Sequence, residues 1–247
     1  MSVRDKVRDR IRDKIDRLRE ELTRDGLDRT TRALRVAELL LVAARIAPSI
    51  AVVHERFYEL TSPPPQFRGL RDLRVRSAGP ADAGAIAALD TTRAQVDKRF
   101  ERGDLVYVGE LDGRILAHSW FHRGPQPFDD DAALLARWAV APDTFWSYHA
   151  FALPEARLSG VFVKVFQSAL RDLLTQHGAA RVQCRVKAAN TRSIVLHERT
   201  GFRLLGTMTA FAVPGARLLS WQGDGSARRW VQRRQDTTVL ALPPEPA

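Results

Sequence analysis

Apolar positions at the start of the chain recur on a helical period. Val3, Val7, Ile11, Ile15, Leu18 and Leu22 stand three or four residues apart with Arg, Lys, Asp and Glu between them, so residues 3–22 are expected to form an amphipathic helix. Its apolar stripe needs a cover, either the rest of the chain or a second copy of itself. A membrane surface fits less well, because Asp5, Asp9, Asp13 and Asp16 dilute the positive face. Gly26 ends the segment, and a second helical region is expected from about Thr31 to Leu60, broken near Pro48. Ser62-Pro63-Pro64-Pro65 marks the clearest boundary, since consecutive prolines favour an extended, semi-rigid spacer.

Beyond the prolines the period shortens and varies. Leu73–Val75 reads as a strand, Pro80–Leu89 as a helix opened by its proline, and Thr91–Phe100 as another helix. The runs 105–109 and 115–117 flank Asp112-Gly113, a strong hairpin signal. Residues 124–131 read as a loop, and Arg137–Val140 with Trp146–Leu153 as a strand pair turned at Pro142-Asp143. After Gly160 the residues Val161, Phe162, Val165, Phe166, Ala169, Leu170, Leu173 and Leu174 share one helical face, with Gly178 past its end. A strand with alternating Val182, Cys184 and Val186 follows, then a short helix from Asn190 to Gly201, and strands over 202–211 and 216–221. The polar side of that alternating strand, Arg181, Gln183, Arg185 and Lys187, is expected to face solvent. The fold class is therefore α/β (α+β), with a mixed sheet flanked by helices. The chain divides into a helical extension over 1–61, a proline-rich linker over 62–71, an α/β domain over 72–222 and a loose tail over 223–247.

Composition narrows the setting. A chain of 247 residues that is 45% hydrophobic holds enough apolar material for a packed core. One cysteine, Cys184, excludes an intrachain disulfide and fits a reducing, cytoplasmic interior, where it reads as a small core residue. The most apolar stretch, 33–53, is interrupted by Arg35, Glu38, Arg45 and Pro48, whereas a spanning helix needs ~20 nearly uncharged residues, so no span is expected. The formal charge of +10 is spread along the chain with mixed signs at the N-terminus, and no nucleic-acid partner is expected. No dinucleotide fingerprint, phosphate-binding P-loop or zinc-ligand spacing occurs.

Two motifs carry the chemistry. Arg157-Leu158-Ser159-Gly160-Val161-Phe162 opens a helix with a glycine beside an arginine, and the unpaired N–H groups and dipole of a helix start favour an anion. Asn190, Ser193, His197 and Gly201-Phe202 then lie on the second helix. In this order and separation the chain resembles the GNAT acetyltransferase superfamily over residues 72–222, departing from its pattern at Phe162, where a small residue is usual, and at His197, where tyrosine is frequent. The resemblance implies a splayed sheet, acetyl-CoA as co-substrate without a metal, and transfer of an acetyl or other short acyl group to a primary amine of a small molecule or protein. It implies cofactor contacts at Phe151, Ala152 and Leu153, at Arg157, Leu158, Ser159, Gly160 and Val161, and at Asn190 and Ser193.

His197 stands seven residues after Asn190, about two helical turns, and is the candidate to protonate the departing thiolate. For the base that deprotonates the amine, His149 and Tyr148 are the candidates, one of which should face the groove because neighbouring strand residues point to opposite sides. His118 and His122 are weaker candidates. Asn190 is also an N-cap and Gly201 a C-cap residue. Two other readings of the fold are a ligand- or partner-binding module without chemistry and a transferase using charged tRNA; a homodimer through the N-terminal helices is a further expectation. Asp129, Asp130 and Asp131 read first as an acidic surface loop, with selection of a cationic acceptor as the alternative.

Overall fold

The computed structural model describes residues 3–23, 27–43, 51–125, 128–131, 136–157, 159–213, 216–223, 226–233 and 238–240. Two helices, α1 (Val3–Leu22) and α2 (Arg29–Ala43), precede strand β1 (Ala51–Leu60). Then come β2 (Arg74–Ala78), α3 (Ala83–Asp90), α4 (Arg93–Glu101), β3 (Leu105–Leu111), β4 (Arg114–Arg123), β5 (Phe128–Asp131), β6 (Ala136–Trp138) and β7 (Thr144–Ala152). The remainder is α5 (Val161–Thr175), β8 (Arg181–Lys187), α6 (Thr191–Thr200), β9 (Arg203–Val213), β10 (Ala216–Gly223), β11 (Ser226–Arg233) and β12 (Thr238–Leu240).

Nine strands join in one sheet in the order β11-β10-β9-β1-β8-β7-β4-β3-β2. Every pairing in it is antiparallel except β7 with β8, which α5 connects as a crossover. The amphipathic face of α5 explains its place: Val161, Val165, Phe166, Ala169, Leu170 and Leu173 are buried against Tyr107, Phe121, Phe145 and Val182. The helix approaches closely because residue 109 has no side chain; a Cβ on Gly109 would lie 2.5 Å from Val165 Cγ2. On the opposite face α3 and α4 cover Val106, Val108, Ile115 and Trp120 through Ile86 and Val96. Thr92 caps α4 by accepting a hydrogen bond from the Gln95 N–H at 3.3 Å. Cys184 is buried in the core beneath α5, as expected.

The helix expected to continue to Leu60 stops at Ala43, and residues 51–60 form a strand at the heart of the sheet. Its composition, Ala-Val-Val-His-Glu-Arg-Phe-Tyr-Glu-Leu, alternates between two buried faces. Phe57 packs beside Trp146 and Trp221, while Tyr58 and Leu60 lie in the core under α5. The charged residues of this strand are answered by partners distant in the sequence. Glu55 accepts from Arg185, Glu59 accepts from Gln183 at 3.0 Å, and Arg56 donates to Asp28 at 3.0 Å. The polar side of β8 is only partly solvated: Gln183 is buried and the Arg185 side chain 12% exposed, whereas Arg181 at one end is 41% exposed and Lys187 at the other is exposed.

Smaller differences follow the same logic of pairing. β7 pairs with β4 and β8, while β6 joins β5 and β12 in a separate three-stranded sheet, so 137–140 and 146–153 are not partners. Residues 226–233, expected loose, extend the main sheet by pairing with β10. Among the described residues, no helix is long and apolar enough to cross a membrane.

Deleting residues 1–61 removes β1 and leaves the facing edges of β8 and β9 unpaired. The truncated chain is predicted to lose cooperative thermal unfolding and near-UV circular dichroism; a sharp, native-like transition would show that β1 is dispensable.

Candidate active site

The parallel ladder between β7 and β8 has four rungs, from Thr144 opposite Arg181 to Ser147 opposite Cys184. β7 then continues to Ala152 and β8 to Lys187 without a ladder between them. The point of divergence coincides with a bulge. On β4, Trp120 opposes His149 and Phe121 opposes Ser147, so Tyr148 is an extra residue that adds local twist. The result is a cleft between two strand arms, each held from its outer side: β7 by β4 up to Ala152, and β8 by β1 up to Lys187. Ala150 is exposed although its strand is interior, as expected beside an open gap.

The loop leaving β7 carries the first motif. Gly160 is the N-cap of α5 with φ +84°, a left-handed conformation that a Cβ would strain, and a Cβ there would also lie 3.1 Å from Phe67 Cζ. The N–H groups of 161–163 belong to the first helical turn, which lacks intrahelical acceptors. Val161 N–H leans toward Ser159 Oγ at 3.4 Å, and the ladder proper begins with Lys164 N–H to Gly160 O at 3.0 Å. Phe162 does not plug this turn. Its ring stacks on Phe166 at 5.6 Å, which stacks in turn on Phe202 at 6.0 Å. Arg157 folds back to the end of β7, donating to Ala152 O at 3.2 Å with its guanidinium 5.7 Å over the Phe151 ring. Leu153 N–H is spent on Leu116 O. Leu158 lies outside the described residues.

On α6, Asn190 Oδ1 accepts the Ser193 N–H at 3.2 Å, and Gly201 closes the helix with φ +100°. His197 is placed otherwise than its proposed acid role needs. It is buried among Phe166, Phe202 and Tyr58, with ring centroids 5.0–5.9 Å away. Its Nδ1 lies 2.6 Å from Ser193 O and so carries the proton. Burial pushes its pKa below the ordinary histidine value, against the carbonyl's opposing pull. A neutral ring with the proton on Nδ1 leaves Nε2 as a bare acceptor, so the geometry favours packing over proton donation.

The candidate bases gather on the face opposite α5. The bulge puts Tyr148 and His149 on the same side, which overturns the expectation that only one could point there. Tyr148 packs with both the Trp146 and the Trp120 clusters, and His149 pairs with Trp120. His149 Nε2 lies 3.0 Å from Asp90 Oδ2, and its Nδ1 2.8 Å from Arg99 Nη1. A guanidinium only donates, so Nδ1 is the acceptor and Nε2 carries the hydrogen toward Asp90. His118 Nε2 shares the same carboxylate through Oδ1 at 3.0 Å, fully buried, and burial lowers its pKa despite Asp90. Burial opposes ionisation of Asp90, yet the hydrogen bonds from His118 and His149 hold its carboxyl far below the usual range.

A second network lies beside it. Asp104, 4% exposed, accepts from His122 Nδ1 at 2.8 Å, Tyr148 OH at 2.7 Å and Arg102. Burial and then the Asp104 charge raise the Tyr148 pKa strongly, so this side chain stays a phenol and is not a base. Neither Asp90 nor Arg99 stood out in the sequence; the nearest signal was the Thr91-Thr92 cap that fixes where α3 ends and α4 starts.

Asp90, His118 and His149 bring three donor atoms within 4.8 Å of one another, a spacing that would suit a metal ion. The donor set argues against one. Each Nε2 is directed at a carboxylate oxygen as a hydrogen-bond donor, and the Arg99 cation touches His149 on its other nitrogen, where ligating histidines usually give a proton to an acceptor.

No protein-family model matches the chain, and no curated protein matches it. Solved structures similar to it include a GNAT-family acetyltransferase from Novosphingobium aromaticivorans (18% identity, TM-score 0.48, covering 66% of this chain and 66% of that one). A GCN5-related N-acetyltransferase from Kribbella flavida matches at 14% identity and TM-score 0.47, over 72% of this chain and 64% of its own. The ribosomal-protein-S18-alanine N-acetyltransferase of Escherichia coli matches at 15% identity and TM-score 0.43, over 53% and 77%. The chain thus spans just under two thirds of the length of the first two. At these levels the likeness is one of fold, the splayed sheet and its helices.

Asp90 gives a pH prediction. Its native pKa is depressed, so in acid the unfolded chain binds more protons than the folded one and stability falls as pH drops. The contribution is complete above the unfolded value of about 3.9 and is lost progressively below it. Asp90→Asn is predicted to be less stable at pH 7 and to show a shallower loss below about pH 4 in denaturant titrations; parallel pH profiles for the two proteins would contradict this.

Proposed function

We propose that this protein is an N-acyltransferase that moves a short acyl group, acetyl in the simplest case, from acyl-CoA to a primary amine. The observation that carries the reading is the abrupt end of the β7–β8 ladder at Ser147 and Cys184, directly before the αL start of α5. Strand edges that lose their partner keep unpaired N–H and C=O groups, and an extended pantetheine arm has amides to match them. The first-turn N–H groups of α5 and the Arg157 guanidinium suit the diphosphate at the cleft mouth.

The amine approaches from the opposite face. Asp90 fixes the His149 tautomer with hydrogen on Nε2, leaving Nδ1 as the basic nitrogen; an acceptor N–H takes the position that Arg99 Nη1 occupies. His149 takes the ammonium proton and releases it to water, the free amine attacks the thioester carbonyl, the C–S bond breaks as the C–N bond forms, and the acylated nitrogen sheds its second proton to His149. The thiolate takes a proton from the imidazolium or from water, so no buried acid at His197 is required. Tyr148 and Asp104 act as the rigid wall behind His149 rather than as proton carriers.

A binding module without chemistry is the second reading, and the Arg99 contact that blocks His149 Nδ1 favours it. Calorimetric titration with acetyl-CoA, followed by thiol release over an amine panel, separates the two. The transferase reading predicts cofactor binding weakened by Gly160→Val, and thiol release lowered about 10²–10⁴-fold by His149→Ala with cofactor affinity unchanged. Binding without amine-dependent thiol release would leave the module; no binding of acetyl-CoA would end the transferase reading.

A further inference from the structure

A cavity of about 380 Å³ lies away from the helices of the cleft, between the α1–α2 hairpin, the first residues of β1 and Lys187 at the end of β8. Such a volume is within the range of small-molecule sites, roughly 300–1,000 Å³. Its wall is charged and unbalanced: Lys14, Arg17, Arg35 and Lys187 against Glu21 and Glu38.

Both carboxylates pair by charge with the cations, but only Glu38 accepts a hydrogen bond from one: Glu21 Oε2 is buried without a hydrogen-bond donor among the described residues. Glu38, buried at 4% side-chain exposure, lies 3.1 Å from Lys14 Nζ and accepts from Arg35 Nη1 at 2.7 Å. Glu21 Oε2 lies 2.9 Å from Arg35 Nε as an ion pair. Arg35 is further tied by Nη1 to Val52 O at 2.9 Å, and its side chain is only 11% exposed. A guanidinium held this way has its rotamer fixed from three sides, while its Nη2 meets no acceptor among the described residues. Arg17 and Lys187 likewise have no carboxylate partner among the described residues. Both are exposed, so two such positive charges border the cavity from its solvent side. His54 adds no positive charge: burial lowers its pKa, and its Nδ1 is engaged by Thr209 Oγ1 at 2.7 Å.

We propose that this cavity is a binding site for a small anionic group, a phosphate or a carboxylate, separate from the cleft between β7 and β8. Arg35 supplies the pre-set donor, and Arg17 and Lys187 close on the anion from the exposed side. The site does not depend on the transferase reading.

Inorganic phosphate and succinate, titrated separately at low ionic strength while backbone amide shifts are followed, test the proposal; whichever saturates identifies the acid group. The expected result is saturable shifts centred on Arg17, Arg35, Val52 and Lys187, unaltered by saturating coenzyme A. Arg17→Gln with Lys187→Gln is expected to weaken binding at least about tenfold, since charge-assisted hydrogen bonds are the strong ones. Arg32→Gln, exposed on α2 and outside the cavity, is expected to leave binding unchanged. Shifts that never saturate, a double variant that binds as tightly as the parent, or displacement by coenzyme A would each overturn it.

Discussion

Four rungs of parallel pairing and then none: the loss of hydrogen bonding between β7 and β8 after Ser147 and Cys184 is the constraint on which the rest of the molecule depends. Two strands joined by a crossover helix would ordinarily stay paired along their common length, because unpaired backbone groups in an interior are expensive. Here the extra residue at Tyr148 turns β7 away, and the sheet must keep both arms ordered without help from each other. β4 holds one arm and β1 the other. The segment ahead of the proline-rich stretch is therefore not an accessory. It supplies the strand that keeps β8 straight to Lys187.

The same divergence separates the two faces chemically. On the α5 side the cleft meets a helix start kept open by a left-handed glycine, with Phe162 withdrawn into a stack of phenylalanines. On the other side the bulge brings Tyr148 and His149 to one surface, where buried Asp104 and well-ionised Asp90 fix them. Bending the strand thus opens the gap and aims the imidazole in one step. Donor and acceptor would meet through the sheet, each bound by a different face.

Much of this was legible in the residues. The apolar stripe of α5, the Asn190 cap, the Gly201 terminus and the Asp112-Gly113 hairpin are local signals, and each element stands where its signal lies. β1 was not legible, because Glu55, Arg56 and Glu59 look solvent-seeking until Arg185, Asp28 and Gln183 are known to face them. Pairing with Arg185 and Gln183, over a hundred positions away, leaves no local trace. The bulge escaped for a related reason: strict alternation along β7 put Tyr148 and His149 on opposite sides, and only the register against β4 reveals the added residue. His197 was read from its spacing to Asn190, which gives direction along a helix but not what packs around it. The cluster at Asp90 and Arg99 joins the end of one short helix to the middle of the next, a geometry set by how α3 and α4 sit on the sheet.

Amide hydrogen exchange with and without coenzyme A tests the central claim most directly. The cleft-facing amides of 148–152 and 185–187, with the first turn of α5 at 161–163, are predicted to exchange quickly in the free protein and to become protected when coenzyme A is added. Protection of these amides in the free protein, or exchange unaltered by saturating coenzyme A, would contradict the account.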